Sequence, residues 1–240
     1  MHIATINIDW FKKSQSLKSQ IIEELNANDF DFLVVSENIN SFVFNPKFNS
    51  YHSKALPIDR EFQHLHYGNY LKGETPIRVS IYSKHNSIQS IPVNDPYTSI
   101  CHKFKINDFE FIVYGTIIGT YGIRYQSEIA KTELDNFISD IDRISKQYEN
   151  IIILGDFNTS FITSENRQLA GINSRKVLAE FIDRTNFHVP TASLTDCIDH
   201  ICISNSIFNS HTFSVSEFLE NNNLKDHPHR GINLELKLKS

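Results

Sequence analysis

The residues in this sequence best placed to do chemistry are Asp156 and Asn158, which follow the run Ile151-Ile-Ile-Leu-Gly155. Four consecutive apolar residues, three of them β-branched, predict a strand buried on both faces, and the glycine after them permits a sharp change of backbone direction. A carboxylate and an amide two positions apart in an extended segment point to the same side and can address one ligand together. The carboxyl end of a buried strand is also where sheets with helices outside usually carry chemistry. Gly, Asp and Asn are equally the commonest turn formers. The stretch therefore gains functional meaning only if other strands end in polar side chains too.

Several do. His2 to Asp9 alternates as a strand does, with Ala4, Ile6 and Ile8 on one face and Ile3, Thr5 and Asn7 on the other. Phe30 to Val35 reads as a second buried strand and finishes at Ser36-Glu37-Asn38, so Glu37 occupies a position like that of Asp156. Asp199 and His200 lie in a predicted strand from Asp196 to Ser204, and Asp226 and His227 immediately precede the alternating strand from Gly231 to Leu238. The oxygen donors Asn7, Glu37 and Asp226 suit a hard divalent cation such as Mg2+, which needs few protein ligands and keeps water or substrate phosphate in its other positions. Adjacent residues of an extended chain point to opposite sides, so Asp226 faces metal and His227 substrate, or the reverse. A carboxylate beside an imidazole improves it as a proton-handling or charge-stabilising group, and Asp199 is the natural partner. Asp156 and Asn158 are then available to hold and activate a water beside a phosphate oxygen.

The elements that must position these groups follow from the pattern. Ser14 or Ser16 caps a helix whose apolar positions are Leu17, Ile21, Ile22 and Leu25 and which closes at Asn26 to Asn28. The opening is thus strand, helix, strand. From Ile39 to Pro76 periodicity disappears, and so long an irregular segment suggests a functional rim. Within it His64 and His66 form a candidate metal pair, and Tyr51, Tyr67 and Tyr70 either stack on bases or pack the loop onto the body. Strands Ile77 to Ser83, Ile88 to Val93, Thr98 to Ile106 and Phe109 to Ile117 read as an antiparallel meander, with Asn107-Asp108 a hairpin turn. Gln126 to Gln147 is the longest predicted helix, with Leu134, Phe137, Ile138, Ile141 and Ile144 as its core stripe; another begins at Ser174 and carries Val177, Leu178, Phe181 and Ile182. Phe213 to Leu219 is a further strand.

Composition bounds the rest. A chain of 240 residues, 40% hydrophobic and without a composition break or internal repeat, is read as one domain spanning 1–240. The net charge of -5 supplies no global positive field for nucleic acid, so a polyanion must be held by local groups or metal. The three cysteines, Cys101, Cys197 and Cys202, lack metal-type spacing and are expected as reduced, buried thiols of a cytoplasmic protein. No leader, membrane anchor or membrane-length apolar run is visible, and a monomer is expected.

Taken together, Ala-Thr-Ile-Asn7, Val-Val-Ser-Glu37, Leu-Gly-Asp156-Phe-Asn158, Ile-Asp199-His-Ile and Lys-Asp226-His227 resemble, in order and across the whole chain, the motifs of the endonuclease/exonuclease/phosphatase superfamily, the deoxyribonuclease I-like group. The resemblance implies an α/β fold, a four-layered sandwich of two mixed, mostly antiparallel sheets packed face to face under outer helices. It implies hydrolysis of phosphodiester or phosphomonoester bonds with Mg2+ or Mn2+. Glu37 would be the principal metal ligand, with Asn7 and Asp226 near the metal. Asp156 would orient or deprotonate water, Asn158 would hold phosphate, and His227, oriented by Asp199, would stabilise the transition state. The family often places a phosphate-contacting His or Tyr on the strand here containing Tyr114 and Thr116; a buried structural Tyr114 is the competing reading. Arg78 and Arg124 are candidate phosphate clamps, against the default that arginines sit at the surface. Relatives often carry Gln before the metal-binding Glu and Ser before the terminal Asp, where this chain has Ser36 and Lys225. A nuclease is the expected activity. The alternatives are a phosphatase acting on a small phosphorylated metabolite or lipid headgroup, and an inactive binding or scaffold member.

Overall fold

The computed structural model of the chain describes residues 1–56, 75–119, 128–165, 174–219 and 229–239. Strand β1 (His2–Asn7) leads through a 3-10 turn at Trp10–Lys12 to helix α1 (Gln15–Ala27) and strand β2 (Phe32–Ile39). Ser14 caps α1, its hydroxyl accepting the N–H of Leu17 at 3.3 Å. Next come β3 (Asn49–His52), β4 (Pro76–Ser83), β5 (Ser87–Ser90), β6 (Ser99–Ile106) and β7 (Phe109–Ile117). Helix α2 (Glu128–Ile144), β8 (Ile151–Asp156), α3 (Ser174–Thr185), β9 (Phe187–His188), β10 (Asp199–Ser204), α4 (Asn205–Ser210), β11 (His211–Phe218) and β12 (Gly231–Leu238) complete the order.

The strands form two six-stranded sheets, in the orders β11-β12-β1-β2-β4-β3 and β5-β6-β7-β8-β10-β9. Each sheet is antiparallel except at its centre, where β1 runs parallel to β2 and β7 parallel to β8. A parallel neighbour needs a crossover, and in both cases a helix supplies it: α1 between β1 and β2, α2 between β7 and β8. The apolar stripes of those helices cover the outer faces. Ile21 and Leu25 of α1 pack on Ala4, Leu33 and Val35, while Phe137 and Ile141 of α2, with Leu178 and Phe181 of α3, pack on Ile112, Ile151 and Ile153. Between the sheets Ile3, Phe32, Val34, Val113, Ile152, Leu154, Ile201 and Ile232 form the third apolar layer. The result is a four-layered α/β sandwich. The antiparallel meander expected from Ile77 onward divides: β5, β6 and β7 pair in succession, but β4 pairs with β2 and β3 in the opposite sheet. Among the described residues no helix is long and apolar enough to cross a membrane.

The inner faces of four strands change character at the same end. Ile3 and Thr5 are followed on β1 by Asn7, Phe32 and Val34 on β2 by Ser36, Ile152 and Leu154 on β8 by Asp156, and Ile203 and Ile201 on β10 by Asp199. Register brings these polar ends level: Asn7 lies beside Ser36 and Asp156 beside Asp199. Gly155 permits the approach. Its φ is +147°, and a Cβ there would stand 1.8 Å from the Thr116 carbonyl oxygen on β7.

On the other face of β10, His200 is fully buried. Its Nε2 faces the Thr159 carbonyl at 3.0 Å and so must carry the proton, while Nδ1 receives the Thr191 hydroxyl at 3.0 Å. Burial pushes its pKa down to about 4. The unfolded chain therefore takes up the proton first, and stability falls as pH drops through 6.5 toward 4. The loss reaches about 3 kcal/mol at the acid end. Urea denaturation across this range should show that limb, and His200→Gln should flatten it. Gly155→Ala should destabilise the fold by about 3 kcal/mol or more at any pH, measured the same way.

Candidate active site

At the polar end of the inner core the two sheets are joined by a hydrogen bond between side chains 149 residues apart: Asn7 Nδ2 donates to Asp156 Oδ2 at 3.0 Å. Asn7 Oδ1 in turn accepts the N–H of Asp9 at 2.9 Å, so both ends of the amide are assigned by their partners. Asp156 is 1% exposed, and its other oxygen accepts the N–H of Asn158 at 2.8 Å. Asn158 sits in the left-handed region with φ 49° and donates Nδ2 to the Ile118 carbonyl at 2.9 Å.

Glu37 reaches the site by a local departure from strand geometry. Val35 is in register with Ser80, yet Asn38 also reaches Ser80, its Nδ2 donating to the hydroxyl at 2.8 Å. Alternation is thus inverted at Glu37, whose φ is 55°. A non-glycine residue held there is strained, and such strain collects where a side chain must be re-aimed for function.

The imidazole of the site belongs to His229. Asp199 Oδ2 receives two donors from consecutive residues, Nδ1–H of His229 at 3.1 Å and the backbone N–H of Arg230 at 3.2 Å. A carboxylate only accepts, so Nδ1 carries a proton and Nε2 is turned away from Asp199. One ligand atom each from Asp156, Asp199 and His229 lie within 4.8 Å of one another.

Charge in this group is unbalanced. Burial raises the Asp156 pKa to about 7; Asp199 and Glu37 add to the rise, against His229 and the Asn7 hydrogen bond. For His229 burial works against the charged form, but Asp199, Asp156 and Glu37 outweigh it and lift the pKa to about 9. Among the described residues a single imidazolium thus stands beside three crowded carboxyl groups at neutral pH. In addition, Asp199 Oδ1 is buried without a hydrogen-bond partner among the described residues. A surplus of carboxylate oxygens beside one imidazole is chemistry that fits a hard divalent cation.

The structure brings together Asn7, Glu37, Asp156, Asn158 and Asp199, and it adds His229. Asp226 and His227 lie outside the described residues, as do His64, His66 and Arg124. Among the described residues the histidine that Asp199 holds is His229; the expected His227 lies among those not described. The available signal was the spacing to the final strand: His229 lies two residues before β12. Tyr114 is not brought to the group. Its hydroxyl donates to Asp140 at 3.0 Å beneath α2, because β7 turns Val113 inward and Tyr114 toward the helices. Thr116 pairs with Ser99 at 3.0 Å instead. Arg78, expected at the surface, is 1% exposed.

Comparison with known proteins gives the arrangement a context. The sequence matches the profile of the Endonuclease/Exonuclease/phosphatase family over residues 4–221. No curated protein matches it. Among solved structures, the 3' phosphatase NExo from Neisseria bound to a product DNA hairpin is similar with a TM-score of 0.71, covering 99% of both chains at 14% identity. An AP endonuclease from Archaeoglobus fulgidus has a TM-score of 0.66 over 99% of this chain and 100% of its own at 13% identity. The human Nocturnin catalytic domain with bound sulfate has 0.64 over 99% and 93% at 14% identity. At such identities the likeness establishes the fold, while the profile match covers most of the sequence. The chain belongs to the Endonuclease/Exonuclease/phosphatase family.

Proposed function

We propose that this protein is a divalent-metal-dependent phosphodiester hydrolase, a nuclease, whose reaction centre is the group Asn7, Glu37, Asp156, Asn158, Asp199 and His229. The observation that carries the reading is the buried constellation in which Asn7 of one sheet grips Asp156 of the other while Asp199 presents an imidazolium beside it. Phosphoryl transfer asks the protein for few covalent events. It asks for a positioned water, and for positive charge and donors where the phosphate oxygens gain charge.

Asp156 supplies the first. With one oxygen held by Asn7 and the other by the Asn158 N–H, it keeps a fixed lone-pair direction toward an attacking water. The proton leaves the water for Asp156 as the new phosphorus–oxygen bond forms and the bond to the leaving group breaks in line. His229, held by Asp199 through Nδ1, donates from Nε2 to a phosphate oxygen and stabilises the charge that accumulates there. Asn158 contributes to holding the phosphate. A bound Mg2+ or Mn2+, held by Glu37 and Asn7 with Asp226 as a further ligand, would withdraw charge from the phosphate oxygens and polarise the scissile bond.

Nucleic acid is the substrate class that the fold neighbours favour: the Neisseria protein is described with product DNA, and the Archaeoglobus protein as an AP endonuclease. The net charge of -5 requires that the contact be local and assisted by metal. A phosphomonoester is the second reading, favoured by the description of the Neisseria neighbour as a 3' phosphatase. A reducing, cytoplasmic setting accords with Cys101, Cys197 and Cys202, all buried and unpaired, with burial pushing each thiol pKa up.

Purified protein should hydrolyse bis(p-nitrophenyl) phosphate, plasmid DNA or RNA with Mg2+ or Mn2+ and stop on chelation; undiminished turnover in chelator would sink the reading. Asp156→Asn and His229→Gln should each lower kcat by roughly 10²- to 10⁴-fold with the circular-dichroism melt retained. His227→Ala measured alongside should cost far less than His229→Gln. The reverse ranking would return the catalytic role to His227.

A further inference from the structure

Asp199 fixes only one atom of the catalytic imidazole. Its Oδ2 holds His229 Nδ1, and its Oδ1 has no partner among the described residues, so the ring can swing about that contact unless the backbone carrying it is fixed elsewhere. The backbone is fixed at the next two residues. The N–H of Arg230 donates to the same Asp199 oxygen at 3.2 Å. Gly231 is seated directly under Phe218, whose ring would come within 2.6 Å of a Cβ there. Neither contact governs how residue 230 is rotated, and that rotation aims residue 229.

The side chain of Arg230 does govern it. Its Nη1 donates to both carboxylate oxygens of Glu217 on β11, at 2.7 Å and 2.9 Å. In the β11–β12 ladder Phe218 faces Gly231 and Glu217 faces Ile232, so this ion pair continues the ladder one residue beyond its last backbone partner. Ile232 belongs to the inter-sheet core, so Glu217 opposite it and Arg230 two residues before it share the side on which His229 meets Asp199; of these two consecutive residues, His229 and Arg230, one is tied to Asp199 of the second sheet and the other to Glu217 of the first. Two consecutive residues tied at both side chains cannot turn one of them without dragging the other.

We propose that Arg230, through Glu217, is the positioning residue for His229: it sets the aim of the imidazole and touches neither substrate nor metal. This rests on the assignment of His229 to the reaction centre. The bland alternative is an ordinary rim ion pair, since the two side chains are 22% and 27% exposed. Such a pair contributes little to stability and would leave catalysis alone. Misaiming a catalytic group, by contrast, is costly to rate at little cost to the fold.

The test uses Arg230→Gln, Arg230→Lys, Glu217→Gln and the double variant Arg230→Gln/Glu217→Gln in the full chain, assayed on bis(p-nitrophenyl) phosphate with Mn2+. Arg230→Gln and Glu217→Gln should each lower kcat by about tenfold to a hundredfold with KM nearly unchanged. The double variant should be no worse than either, because the two act as one unit. Arg230→Lys should recover part of the loss, and melting temperatures should move by no more than about 4 °C. Independently of turnover, the downfield proton resonance of His229 Nδ1–H, assigned by its absence in His229→Gln, should broaden or shift in Arg230→Gln. Unchanged kcat and an unchanged resonance in Arg230→Gln would overturn the proposal, as would additive losses in the double variant. If the wild type turned over no phosphoester while the resonance still responded to Arg230→Gln, the positioning role would stand and the assigned activity would fall.

Discussion

Two sheets packed face to face must hide everything between them, and the site exists because that apolar filling stops at one level on strands of both sheets. Above Ile3, Val34, Leu154 and Ile201 the inward positions are taken by Thr5 and Asn7, Ser36, Asp156 and Asp199. Polar groups buried there cannot be left without partners, and they find them across the gap: the Asn7–Asp156 contact satisfies a donor of one sheet with an acceptor of the other. Because each is at the end of a central strand, sheet-to-sheet packing fixes their separation. The geometry of the site is thus inherited from the core.

Electrostatics in such a place follows from burial. A lone buried carboxyl group would simply protonate. Here, among the described residues, three acids gather around one imidazole: burial, with the neighbouring acids, raises Asp156, the acids raise His229 against burial, and the group is left short of positive charge. The same low-dielectric surroundings that make this assembly costly to build would make any cation or phosphate entering it strongly felt. The strained backbone at Glu37 belongs to the same economy of placement, since an unstrained β2 would have kept that side chain in the pleat.

Much of this was legible in the sequence because the signals were local. Buried strands show as unbroken β-branched runs, so β2 and β8 and their polar termini Glu37 and Asp156 stood out, and the alternation of β12 marked its limits from Gly231 to Leu238. Two things were not local. Tyr114 and Val113 are equally apolar in their setting, and only the packing of α2 with Asp140 decides which of them faces the helices. Likewise the contact of His229 with Asp199 joins the approach to β12 with a strand of the other sheet, and no local pattern records it. The division of strands between sheets was hidden for a related reason: β4 and β5 are neighbours in sequence, yet β4 pairs back onto β2 and β3 while β5 pairs forward onto β6 in the other sheet.

His229 enters the site from the hairpin of β11 and β12, and β11 is the outermost strand of its sheet. A border strand has one neighbour where an interior strand has two, so it frays at a lower free energy than the body of the molecule. His229 precedes β12, which has β1 on its other side, so the part that lies on the margin is the tie from Arg230 to Glu217 of β11. On warming, β11 would come loose first and release that tie while the other strands stayed paired. Loosening beside His229 would then precede loss of the fold, as a local, recoverable unzipping.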